Sequence, residues 1–203
     1  MTVETVLALL AACFVVKASP GPGVFATIGR ALAQGFRPTL VFIAGIMVGD
    51  AIFLSLAMMG LSVVATQFSE VFHVVRWIGG GYLVYLGIRY WLAPATAVEA
   101  APTTRAGAAK SFLGGFLLQF GNPKVILFYL GLLPTFVDLR VLAMADLVLL
   151  AILFAAILGG TLLVYALVSA RARTLFRSAR AIKYLNRGAG TVLIGTGGAV
   201  ATT

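Results

Sequence analysis

Lys17-Ala18-Ser19-Pro20-Gly21-Pro22-Gly23-Val24 interrupts an apolar run that extends from about Thr2 to Ile28. Each proline lacks an amide donor, and the glycines add backbone freedom, so a helix cannot continue through this stretch without losing hydrogen bonds. In hydrocarbon each unmet backbone group costs several kcal/mol. A break of this kind at membrane depth must therefore face protein or a water-filled cavity. A new half-helix is expected from about Val24, its free N–H groups and positive dipole end suited to a carboxylate.

The rest of the chain makes lipid the relevant solvent. Of 203 residues, 61% are hydrophobic and 10% charged, against roughly half and a quarter in an ordinary soluble domain. A hydrocarbon core needs about 20 apolar residues per helix. Six segments approach this length: about Thr2–Ile28, Pro38–Thr66, Val71–Leu92, Phe112–Val137, Val141–Ala170, and Ile182 to the C-terminus. Between the third and fourth, residues 93–110 carry Pro94, Pro102, Thr103 and Thr104 and read as a polar loop.

The net charge is +9, and its distribution is informative. Arg30 and Arg37, then Arg89, Arg105 and Lys110, then Arg171, Arg173, Arg177, Arg180, Lys183 and Arg187 fall in the odd-numbered loops. Only Arg76 and Arg140 fall on the other side. The positive-inside rule then puts the odd loops in the cytoplasm and both termini outside. Basic residues confined between uncharged spans, rather than on a folded basic face, exclude nucleic acid as a partner.

The two halves look alike. Gly79-Gly80-Gly81-Tyr82-Leu83-Val84 opens the third segment and Gly188-Ala189-Gly190-Thr191-Val192-Leu193 the sixth. The first segment of each half is broken by proline, at Pro20 and at Pro123. Each half has an odd number of spans, so the second copy is inverted, the pattern of a transporter. The expected fold is an all-α integral membrane domain, 1–203, with six transmembrane helices of which helices 1 and 4 are broken. They form two inverted three-helix repeats, 1–92 and 111–203, joined by the cytoplasmic loop 93–110.

The second break is Asn122-Pro123-Lys124. Pro123 frees a carbonyl one turn earlier, near Leu118 or Gln119, and Asn122 offers both donors and acceptors. Lys124 lies fourteen residues beyond Lys110, near mid-bilayer. Asp50, after Gly45-Ile46-Met47-Val48-Gly49, is the one acid deep within a span. Intramembrane ionisable groups mark pathways and proton relays, and Gly45 with Gly49 lets another helix approach closely. Lys17 has comparable depth, so a Lys17–Asp50 or a Lys124–Asp50 pair would neutralise both charges. The aromatic residues Trp77, Tyr82, Tyr85, Tyr90 and Trp91 read by default as packing.

Ser-Pro-Gly-Pro in the first span, Gly-xxx-Gly-Asp at 45–50, Tyr-Leu-Val-Tyr-Leu-Gly at 82–87, and Asn-Pro-Lys followed by Phe128 and Pro134 together resemble the lysine-exporter (LysE/RhtB-type) translocator family. The resemblance covers essentially the whole chain, in order. It implies a six-helix inner-membrane protein that exports amino acids and related metabolites, driven by the proton gradient. The family's broken-helix motif falls on Pro20, Gly21 and Pro22, and its second motif on Asn122, Pro123 and Lys124. Two departures lie beside the site. Gly23 stands where many members carry Asn or Asp, and Lys17 is charged where the family is not expected to be.

The expected function is a proton-coupled amino-acid exporter of the bacterial-type cytoplasmic membrane. The expected substrate site comprises Lys17, Ser19, Pro20, Gly21, Pro22, Gly23, Asn122, Pro123 and Lys124, and the expected proton carrier is Asp50. Its partners are a small amino-acid-like solute, protons and the lipid bilayer, with a homodimer as a candidate assembly and no cofactor. The alternative is an exporter of a metal or other ion, with Cys13, Met47, Met58 and Met59 as scattered soft ligands. An intramembrane enzyme is disfavoured. One histidine cannot build a zinc site, an aspartyl protease needs two membrane aspartates, and Gly60-Leu61-Ser62-Val63 lacks the second glycine of a serine-protease motif.

Overall fold

A computed structural model of the chain describes residues 3–58, 69–92, 105–129, 133–136, 143–175 and 179–202. Residues 60–63, the loop up to Thr104, and Arg140 lie outside these. Among the described residues every regular element is a helix: α1 Val3–Ala18, α2 Pro22–Gln34, α3 Phe36–Met58, α4 Ser69–Leu92, α5 Arg105–Phe120, α6 Pro123–Leu127, α7 Leu133–Phe136, α8 Met144–Leu175 and α9 Ala179–Thr202.

The spans Phe36–Ala57 and Met144–Ala172 are long and apolar enough to cross a membrane, and the pair α1–α2, bent by 50° at its break, makes a third if counted as one span. Large apolar side chains point outward along these helices. Leu7, Phe14 and Val15 on α1 and Ile152, Val164 and Val168 on α8 are all exposed. Water would penalise this surface by roughly 25 cal/mol per Å², whereas lipid does not. The chain is a membrane protein by composition and by surface.

Two boundaries and the placing of some aromatic residues differ from the sequence expectation. The half-helix after the first break starts at Pro22 rather than Val24, because proline's fixed φ suits the first helical position, where no donor is needed. Arg105–Lys110, expected in the loop, are helical and open α5. Trp77 and Tyr85 are exposed on the outer surface, and Trp91, exposed on one side, packs on α9 through a 3.0 Å hydrogen bond to Thr191 and the Arg187 guanidinium. An outward aromatic residue is stable where its ring meets lipid or the interface.

Between α2 and α3 the chain turns at Gly35, whose φ of 84° is costly for any residue with a Cβ. Its amide bonds the Ala31 carbonyl at 2.9 Å. Two further contacts fix α2. Tyr90 on α4 donates to the Ala26 carbonyl at 2.9 Å, and Arg30 donates to Ser111 on α5 at 2.5 Å while lying over the Phe42 ring.

Two apolar cores stack along the bundle. One gathers Leu9 and Cys13 of α1, Phe53 and Leu54 of α3, Val125, Phe128 and Tyr129, and Leu150 and Phe154 of α8. The other gathers Val24 and Ala26 of α2, Phe42 and Ile46 of α3, Leu118 of α5, and Leu158, Leu162 and Ala166 of α8. Along α3 the boundary between them falls between Ile46 and Phe53, where Asp50 sits. Along the broken spans it falls at the two breaks.

Candidate substrate site

The first break is closed by substitutes for the donors that proline removes. Pro20 cannot bond the carbonyl of Val16, and the Ser19 hydroxyl bonds it instead at 2.9 Å. Pro22 cannot bond the carbonyl of Ala18, and the Tyr165 hydroxyl of α8 does so at 3.1 Å. The Ser19 carbonyl accepts from Lys124 Nζ at 2.5 Å, which ties the first break to the second. Gly21 is extended at the start of α2 and supplies no side-chain cap. The amides of Gly23 and Val24 lie in the first turn, where no helical carbonyl reaches them.

The second break follows the same logic. Pro123 deprives the Gln119 carbonyl of its donor, and the Asn122 amide takes that carbonyl at 3.2 Å. The Asn122 side chain accepts from the Lys124 amide at 3.2 Å and caps α6. The chain then runs through a wider π turn at Phe128 and Tyr129.

Between the breaks lies a buried charged cluster. Lys17 Nζ donates to both oxygens of Asp50, at 2.8 and 2.6 Å. Gln119 donates to Oδ1 at 2.9 Å and Tyr129 to Oδ2 at 2.9 Å. Asp50 and Lys17 are 4% and 7% exposed. The rings of Phe128, Tyr129 and Phe154 surround the ammonium at 5.3–5.9 Å, a geometry that stabilises a desolvated cation. Of the two pairings open to the sequence, Lys17–Asp50 forms. Lys124 goes to a backbone carbonyl instead.

A small cavity beside the cluster, partly open to the outside, offers about 40 Å³ to water. That is room for a few water molecules. Lys17, Gly21, Gly23, Asp50, Asn122 and Lys124 line it, with Gln119, Tyr129 and apolar residues of α3 and α8. Ser19, Pro20, Pro22 and Pro123 do not line it; they shape the two breaks. A second, largely apolar cleft between α3 and α8 shares Asp50 and Leu158 with the first.

Tyr129 and Tyr165 are site residues that the sequence does not mark, and Gln119 is marked there only for its carbonyl. Gln119 sits four residues before a mid-span proline, a position whose polarity has no use in lipid. The tyrosines carry no such local signal. Replacing Tyr129 with Phe is expected to lower stability by about 1.5–3 kcal/mol, the usual worth of a hydrogen bond to a charged group, read as a lower midpoint of thermal unfolding in detergent. Among the described residues no three His, Cys, Asp or Glu side chains come together. Cys13 is buried in the first core and Met47 borders the second cleft.

A helical membrane protein whose broken spans enclose charges beside a cavity has the build of a translocator. The chain belongs to the LysE type translocator family, whose model matches residues 14–203. It is 30% identical over 196 residues to an uncharacterized membrane protein of Synechocystis, covering 96% of this chain and 94% of that one. It is 25% identical over 202 residues to the homoserine/homoserine lactone efflux protein of Salmonella typhimurium, covering 100% and 98%. It is also 32% identical over 133 residues to the leucine efflux protein of Klebsiella pneumoniae, covering 65% and 62%. No solved structure matches the chain significantly.

Proposed function

We propose that this protein exports an amino acid or a close derivative across a bacterial-type cytoplasmic membrane in exchange for protons. One observation carries the reading: Lys17, Asp50 and Lys124, all at membrane depth, surround a single cavity between two helix breaks. Charges in that position are too costly to keep as packing. The efflux relatives point the same way, since they are efflux proteins for homoserine and its lactone and for leucine.

The substrate carboxylate sits against the first turn of α2, beside Lys124. Asp50 carries the exchanged proton. A proton on Asp50 removes its charge and its hold on Lys17, so α1 and α3 are free to part. Because Asp50 borders both clefts, opening that pair exchanges access between them.

The helices move as two inverted repeats, 1–92 and 111–203, each of three spans, with the odd loops in the cytoplasm and both termini outside. The contact pattern supports this. The second span α3 packs on the fourth, α5, and the fifth span α8 packs on the broken first, α1–α2. Exchanging the halves turns one of these contacts into the other. The third and sixth spans, α4 and α9, pack on each other, as a two-fold relation requires.

Proteoliposomes loaded with labelled leucine test the reading. Efflux is expected to depend on the protein and to quicken under an imposed inward proton gradient. Asp50→Asn is expected to lose the response to the gradient. Unchanged, still pH-dependent transport would remove Asp50 from the mechanism.

A further inference from the structure

We propose that the site reads the carboxylate of its cargo and not the amino group, because Lys17 is a built-in ammonium that occupies the place a substrate ammonium would take. The cargo class is then small carboxylates of zero or negative net charge, including amino acids and their N-acylated forms, and cationic amino acids are rejected. This rests on the exporter reading and sharpens it.

The argument starts from acceptor capacity. A carboxylate offers about four lone-pair sites. Asp50 has four donors on it: Lys17 on each oxygen, Gln119 on Oδ1 and Tyr129 on Oδ2. Among the described residues Asp50 is also the one carboxylate lining the cavity. An incoming ammonium therefore finds no free anion. It could reach Asp50 only by displacing Lys17, whose ammonium would be left against the rings of Phe128, Tyr129 and Phe154.

Charge balance gives the other half. Lys17 and Asp50 cancel, so Lys124 leaves the cavity lining with a net positive charge. Its hydrogen bond goes to the neutral Ser19 carbonyl, which uses one of its three N–H donors. A Cβ built on Gly21 would lie 3.3 Å from Lys124 Cδ and 3.6 Å from Nζ. Lys124 Nζ and the free amides of Gly23 and Val24 thus share one side of the cavity, where they suit an anion. In a site of low dielectric this charge attracts a carboxylate and repels a second cation far more strongly than it would in water.

The test uses the intact protein in proteoliposomes and reads efflux of labelled solutes from the lumen. N-acetyl-leucine is expected to leave within about threefold of the leucine rate, and lysine at least about tenfold more slowly. Unlabelled leucine methyl ester, which keeps the amino group and lacks the carboxylate, is expected not to compete. Lys124→Gln should lose leucine and N-acetyl-leucine efflux alike, and Lys124→Arg should keep both. Lysine leaving as fast as leucine, or methyl ester competing as well as leucine, would overturn the proposal while the exporter reading stands. Vesicles that retain all three solutes would overturn the exporter reading itself.

Discussion

Asp50→Ala is expected to destabilise the protein by about 3–5 kcal/mol, the usual cost of stripping one partner from a buried ion pair. The size follows from what remains. Lys17 would keep a contact of 3.4 Å to the Tyr129 hydroxyl and the faces of three aromatic rings, which cannot replace a carboxylate bonded through both oxygens. The reciprocal change, Lys17→Met, should cost less. It leaves Asp50 with two hydrogen-bond donors, Gln119 and Tyr129. Removing both, as Lys17→Met with Asp50→Leu, puts apolar groups of similar length into a cavity wall that is already largely apolar, and should recover most of the loss. Thermal unfolding in detergent, followed by tryptophan fluorescence, gives the four corners of the cycle. A double variant no more stable than Asp50→Ala would mean that the pair is held by something other than mutual neutralisation.

The pair also marks how far the sequence could be read. The broken spans were legible because Pro20, Pro22 and Pro123 act on their own backbone, and backbone chemistry is local. The distance of Lys17, Asp50 and Lys124 from the ends of their apolar segments was legible because it is counted along the chain. Which lysine meets Asp50 was not, since that depends on the rotation of α1 about its axis relative to α3, a tertiary quantity. Tyr165 repairs the carbonyl that Pro22 orphans from a distance of 147 residues, and nothing near Tyr165 marks that role. The start of α5 at Arg105 was missed for a related reason. Arg-Ala-Gly-Ala-Ala-Lys is polar enough to end a span, yet its alanines and basic residues favour helix, and the helix simply extends beyond its apolar part.

The second large effect is expected at the crossing of α3 and α5. A Cβ on Gly45 would overlap the Phe112 carbonyl and come within 2.9 Å of the Phe116 amide. A Cβ on Gly115 would overlap the Phe42 carbonyl in return. The obstacles are backbone atoms of rigid helices, so no rotamer change relieves them. Overpacking against side chains costs about 1–3 kcal/mol, and Gly45→Ala should reach or exceed the top of that range because two whole helices must separate. The separation would also reach the site. Gly49 lies against Gln119 Cβ, 2.8 Å from where its own Cβ would stand, and Gln119 holds Asp50. Gly49→Ala should therefore impair transport beyond its effect on stability. Gly160 supplies the contrast, with nothing within 4 Å of a Cβ built there. Gly160→Ala is expected to be neutral or to gain up to about 1 kcal/mol from helix propensity. If Gly45→Ala and Gly160→Ala unfold at the same temperature, the close approach of α3 and α5 is not what holds Gln119 against Asp50.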